Sequence, residues 1–148
     1  MEILTQQPTV LWVDDDVDDL MMIGHVLDEM GHRVNLVEAG NGKEALDLLK
    51  EMYENEQSPC LIVLDLNMPG MDGKQTLQYI RSQTHFKSIP VVVFTTSDRA
   101  ADVAFCKQYN VPLFTKPIDY KSLQNTMGHI LGFCKAGDAI KLENAKYK

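Results

Sequence analysis

The sequence predicts an α/β fold, a doubly wound parallel sheet of five strands with helices on both faces. Three observations carry that expectation. Short apolar runs recur at Val10 to Val13, Val34 to Val37, Leu61 to Leu64, Val91 to Phe94 and Leu113 to Phe114. The segments between them place apolar residues at helical spacing. Strict alternation with short connections then leaves parallel strands joined by right-handed helical crossovers as the simplest arrangement.

Taken in order, the first strand, "VLWV", runs into the acidic stretch "DDDVDD". Leu20, Ile23, Leu27 and Met30 mark the inner face of the first helix, and the methionines of "LMMIG" and "EMGH" read as core packing. The second strand is followed by Gly40 to Gly42, which punctuates the chain before a second helix marked by Ala45, Leu48, Leu49 and Met52. The polar stretch Glu51 to Ser58 extends or follows that helix, with "YENEQS" a candidate mobile loop. Pro59 and Pro90 precede the third and fourth strands, whose near-continuous "LIVL" and "VVVF" suit central positions. Leu77 and Ile80 define the third helix; Ala101, Ala104 and Phe105 the fourth; Leu123, Met127 and Ile130 the last. Those last three residues serve either the core or a surface between copies.

With 148 residues and 45% hydrophobic content the chain reads as one domain, residues 1–133, followed by a polar tail at residues 134–148 compatible with helix. A net charge of −7 offers no footprint for a phosphate backbone, so nucleic acid is excluded as an expected partner. No stretch approaches the ~18 apolar residues that a membrane span needs, and the first residues lack a signal pattern. A cytoplasmic protein with no membrane association is expected. Cys60, Cys106 and Cys134 are odd in number and far apart, which favours buried free thiols over a disulfide framework or metal site. His25, His32, His85 and His129 are scattered and read as exposed or interfacial.

Ligands of open parallel sheets gather outside the carboxyl ends of the strands. There the strands end in "VDDD", "VLD", "FTTSD" and "FTKP", bringing Asp14, Asp15, Asp65, Thr95 and Lys116 to one rim. Three neighbouring carboxylates raise one another's pKa or recruit a cation, with Lys116 as a fixed positive partner. An all-oxygen site of this kind suits Mg2+, with Mn2+ the alternative, and is poor for zinc. A carboxylate beside a divalent ion and a lysine is equipped to attack phosphorus. Asp65 is the candidate nucleophile, because Pro69, Gly70 and Gly73 permit a turn that leaves it open to ligand. Asp16, Asp18 and Asp19 read as charge at a helix N-terminus or as solvated acids. A calcium loop beginning at Asp14 fails, since Asp19 stands where glycine is needed and His25 where glutamate is needed.

The motifs "VDDD", "LDLNMPGMDG", "PVVVFTTSD" and "TKP", in this order, resemble the receiver domain of bacterial two-component response regulators over Thr9 to Phe133. The likeness is greatest to stand-alone regulators that accompany phytochrome-like histidine kinases. The resemblance implies a flavodoxin-like sheet with strand order 2-1-3-4-5. It implies that Asp65 is the phosphoacceptor and that Asp14, Asp15, Asp65 and the backbone carbonyl of Asn67 hold the metal. Thr95 becomes the switch hydroxyl, Lys116 the phosphate contact, Thr96 a small neighbour limiting access, and Lys116-Pro117 a cis bond. The implied partners are a histidine kinase or phosphotransfer protein and a downstream protein target. A homodimer through the fourth helix, fifth strand and fifth helix is a further implication. Leu113 departs from the family, which often has Tyr or Phe three residues before the lysine; coupling is then expected through Ser97 to Arg99 and the fourth helix.

Two rivals belong to other classes. A phosphohydrolase with an aspartyl-phosphate intermediate typically carries an acid two residues after its nucleophile, where this chain has Asn67. An unphosphorylated binding module of receiver shape would not need the full set of site residues. The expected function is therefore a phosphorylation switch rather than a metabolic enzyme.

Overall fold

A computed structural model describes residues 7–134. The elements are β1 (Thr9–Val13), α1 (Val17–Glu29), β2 (Asn35–Ala39), α2 (Gly42–Glu54), β3 (Leu61–Leu64), α3 (Gly73–Ser82), β4 (Val91–Thr95), α4 (Ala100–Gln108), β5 (Leu113–Thr115) and α5 (Tyr120–Leu131). All neighbouring strands pair in parallel, in the order β2-β1-β3-β4-β5. The expected doubly wound sheet and its strand order are therefore observed.

Short polar side chains start the helices by accepting backbone N–H groups that lack an intrahelical partner. Asp16 caps α1, Asn41 caps α2 and Asp119 caps α5, while Asp72 and Gln75 form a reciprocal capping box on α3. Among the described helices only α4 begins without a side-chain cap, at Arg99.

Because successive strand residues face opposite ways, the sheet supports two cores. Leu11, Val13, Ile62, Leu64, Val91 and Val93 pack beneath α2, α3 and α4. Val10, Trp12, Leu61, Val63, Val92 and Phe94 pack beneath α1 and α5. Truncating a fully buried strand residue such as Leu64 to Ala would cost about 2–5 kcal/mol.

Several expectations are corrected. Met21 and Met22 are exposed, because Leu20, Ile23, Val26 and Leu27 already fill the inner face of α1; Met30 is buried as expected. On α4 Ala101 and Ala104 face outward, Phe105 is half-buried, and the buried residues are Asp102 and Cys106. An ion-paired carboxylate at an inner position breaks the apolar signature of this helix. Of the two readings left open for α5, Met127 and Ile130 take the core, and Leu123 packs partly buried against it. His32 is buried rather than exposed.

Cys60 and Cys134 are buried but not free. They form a disulfide across 74 residues, with Cα atoms 4.9 Å apart. The fold sets the end of α5 beside the start of β3, a proximity that sequence spacing does not reveal. Cys106 is a free buried thiol, as expected. The Lys116–Pro117 bond is trans, contrary to what the family resemblance implied. Of the tail, only Cys134 belongs to the described residues.

Candidate functional site

The site is assembled by strand register. Val13 of β1 pairs with Leu64 of β3, so the next residues, Asp14 and Asp65, leave the sheet side by side. Their backbones remain tied to it: Asp14 N–H donates to the Ala39 carbonyl and Asp65 N–H to the Val13 carbonyl, each at 3.0 Å. These two strands flank the point where chain order reverses across the sheet, the usual ligand crevice of such folds. Thr95 pairs with Thr115, and Lys116 N–H donates to the Thr95 carbonyl at 2.8 Å, which brings Lys116 to the same rim.

All the strand-end residues singled out in the sequence converge here. Asp14 is 1%, Asp65 7% and Thr95 0% exposed, while Asp15 is exposed. Ligand oxygens of Asp14, Asp15 and Asp65 lie within 4.8 Å of one another. Such a cluster of hard oxygen donors fits a divalent ion of the Mg2+ or Mn2+ type.

The Lys116 ammonium sits among the acids, 2.7 Å from Asp14, 2.8 Å from Asp19 and 3.1 Å from Asp65. Burial disfavours its charge, but the hydrogen bonds to Asp14 and Asp19 and the charges of Asp65 and Asp14 prevail, holding its pKa above the usual lysine value. Asp14 is shifted upward by burial, which outweighs its hydrogen bonds with Lys116 and the Asp16 N–H. A divalent cation placed among Asp14, Asp15 and Asp65 would stabilise their ionised forms further.

Asp19 was missed in the sequence, where it read as one more acid at a helix start. The Asp16 cap sets the first turn of α1 so that Asp19 faces the end of β5. Its position in that turn is a weak signal without knowledge of where Lys116 lies. Gly73 also acquires a definite reason: a Cβ there would collide with the Asp65 carbonyl oxygen, so α3 can start this close to the site only with glycine.

The Asn67 N–H donates to Asp65 Oδ1 at 3.3 Å, orienting the carboxylate from the loop that follows it. Thr95 Oγ1 accepts the Ser97 N–H at 3.2 Å, whereas Thr96 is exposed. Leu113 is half-buried against the core beneath α2, α3 and α4. The rim therefore gathers a buried carboxylate, a hydroxyl, a lysine and an acidic cluster of a kind suited to a divalent cation.

The family described as "Response regulator receiver domain" matches residues 10–127, and the chain belongs to that family. It is a receiver domain of two-component signalling. Among its relatives, Response regulator Rcp1 of Synechocystis sp. is 35% identical over 117 residues, covering 77% of this chain and 80% of that protein. The crystal structure of the Mn(2+)-bound form of Rcp1 has a TM-score of 0.76 at 32% identity, covering 89% of this chain and 98% of that one. That of the phosphorylated cyanobacterial phytochrome response regulator RcpA has a TM-score of 0.79 at 30% identity, covering 88% and 96%. Among the described residues no helix is long and apolar enough to cross a membrane.

Proposed function

We propose that this chain is a phosphorylation switch in which Asp65 accepts a phosphoryl group from a phosphohistidine on a histidine kinase or phosphotransfer protein. The observation that carries the reading is the cluster of Asp14, Asp15 and Asp65 at the ends of β1 and β3, with the Lys116 ammonium from the end of β5 on Asp14 and Asp65. Asp14, Asp15, Asp65 and the Asn67 backbone carbonyl would hold Mg2+. The Mn(2+)-bound relative supports a divalent ion at such a site. An ion held by these residues would supply positive charge to the phosphoryl oxygens.

An Asp65 carboxylate oxygen bonds to phosphorus as the P–N bond to histidine breaks, and the departing nitrogen keeps the electron pair. Lys116 supplies fixed positive charge and Thr95 a hydroxyl donor to the transferred group. Lys116 already lies on Asp65 before the donor arrives, whereas Thr95 turns its hydroxyl to the transferred group. Water attack on the acyl phosphate later returns inorganic phosphate and the Asp65 carboxylate. This self-limited cycle, with no metabolite turned over, separates a switch from a metabolic enzyme. Asn67 supports the distinction, since an amide cannot serve as the second acid of a phosphohydrolase.

The added charge of about −1.5 to −2 biases a protein-binding surface on α4, β5 and α5, through which a downstream protein or a second copy would engage. Exposed Met22, Ile118 and Tyr120 line a groove of about 420 Å³ beside Lys116, an apolar approach for the kinase-side partner. The acidic balance of the chain supports protein rather than nucleic-acid partners.

The test is intact mass during incubation with phosphoramidate or acetyl phosphate and Mg2+, beside Asp65→Asn and a chelator control. A hydroxylamine-labile gain of one phosphoryl group, absent from both controls, is expected. No gain would leave a receiver-shaped binding module.

A further inference from the structure

The single carboxylate of α4 lies outside the acidic site yet is joined to both loops that border it. Asp102 is 0% exposed. Its Oδ1 meets the Lys74 ammonium of α3 at 2.7 Å, and its Oδ2 accepts the Ser97 hydroxyl and the Arg99 guanidinium, Nε at 3.1 Å and Nη2 at 3.0 Å. The second of these partners, Ser97, gives its N–H to the Thr95 hydroxyl oxygen. The third, Arg99, reaches the Asn67 side-chain oxygen at 3.3 Å, and the Asn67 N–H in turn touches Asp65. A continuous path thus runs from Asp65 through Asn67, Arg99, Asp102 and Ser97 to Thr95.

We propose that Asp102 is a positioning residue for the phosphoryl site, which couples the Thr95 hydroxyl to the first turn of α4 through Ser97. The inference rests on the reading of Asp65 as phosphoryl acceptor and names the route by which that event reaches the surface.

Three features make this route fit. The helix has no side-chain cap, and its fully inward residues are Asp102 and Cys106, so its first turn is held by the ionic cluster more than by apolar burial. Lys74 is itself fixed, with its ammonium 5.4 Å from the centre of the Phe105 ring, so the carboxylate is anchored between α3 and α4. Leu113 offers no ring whose movement could transmit the change instead. When Thr95 turns its hydroxyl toward a phosphoryl oxygen, its oxygen leaves the Ser97 N–H. Because the Ser97 hydroxyl is bound to Asp102, the displacement passes to the start of α4 and, through Arg99, to Asn67. A polar network with every member paired moves as a unit rather than residue by residue.

The experiment compares amide NMR spectra of the full chain with Mg2+, before and after beryllofluoride, for the wild type, Ser97→Ala, Asp102→Asn and the double variant. In the wild type, shifts are expected at Asn67 and Lys116 and along Ala100–Cys106. Each single variant should keep the shifts at Asn67 and Lys116 and lose most of those along α4, and the double variant should lose no more than the singles do. Wild-type shifts along α4 in Ser97→Ala overturn the coupling. Should Asp102→Asn fail to fold, Ser97→Ala decides alone, since it leaves Lys74 and Arg99 on the carboxylate. A wild type with no beryllofluoride response anywhere overturns the acceptor reading of Asp65, and the coupling with it.

Discussion

Lys116 lies 2.8 Å from Asp19 as well as 2.7 Å from Asp14, so an acid of α1 competes with the acids of the sheet for the same ammonium. By drawing Lys116 toward α1, Asp19 leaves Asp14 and Asp65 less completely neutralised and better able to hold a cation. Asp19→Asn should therefore weaken Mg2+ binding. Asp19 is partly exposed, so the effect is modest, roughly two- to fivefold in Kd by calorimetry. Unchanged affinity would mean that Lys116 sits in the same place without it.

Three carboxylates brought together in the fold should make folding itself respond to divalent ions. Mg2+ at about 100 times its Kd is expected to stabilise the protein by about 2.7 kcal/mol, seen as a rise in Tm. A chelator should reverse the rise, and Asp14→Asn should remove most of it. An equal rise in Asp14→Asn would place the ion elsewhere.

Acid should expose the Asp102 cluster. Burial would raise this carboxyl, but hydrogen bonds from Lys74, Ser97 and Arg99 override it and hold its pKa at about 2, below the ordinary 3.8. A folded-state pKa below the unfolded value means that the ionised group stabilises the fold above about pH 4. The contribution, about 2 kcal/mol, is lost as pH falls through 3.8 toward 2. Urea midpoints measured across that window should fall in the wild type and fall less steeply in Asp102→Asn.

The Cys60–Cys134 bond closes 74 residues of chain. Its reduction should cost about 2–4 kcal/mol and lower Tm, and Cys134→Ser should reproduce the loss. Alkylation in denaturant offers a direct check. Of the three cysteines only Cys106 should be labelled before reduction, and all three after it. Three labels without reductant would show that the bond is absent in solution.

Much of this molecule was legible because strands and helices write different periods into a sequence. "LIVL" and "VVVF" announced central strands, and "VDDD", "LDL", "FTTSD" and "TKP" announced their functional ends. The reading failed where the informative contact lies between residues distant in the chain. Asp19 looks like any helix-start acid until β5 brings Lys116 to it, and Cys60 looks unpaired until α5 ends beside β3. On α4 the failure has another cause. Its inner face carries a carboxylate, so a search for apolar periodicity selected Ala101 and Ala104 and passed over Asp102.

By itself, then, the sequence determined the doubly wound sheet, the identity of the strand-end residues and the acidic character of their rim, since these depend on local period and composition. Only the tertiary structure decided which acids share Lys116, how Asp102 joins Thr95 to Asn67, and which cysteines meet. Pairings of that kind arise from register and packing, which set distances between side chains that lie tens of residues apart in the chain.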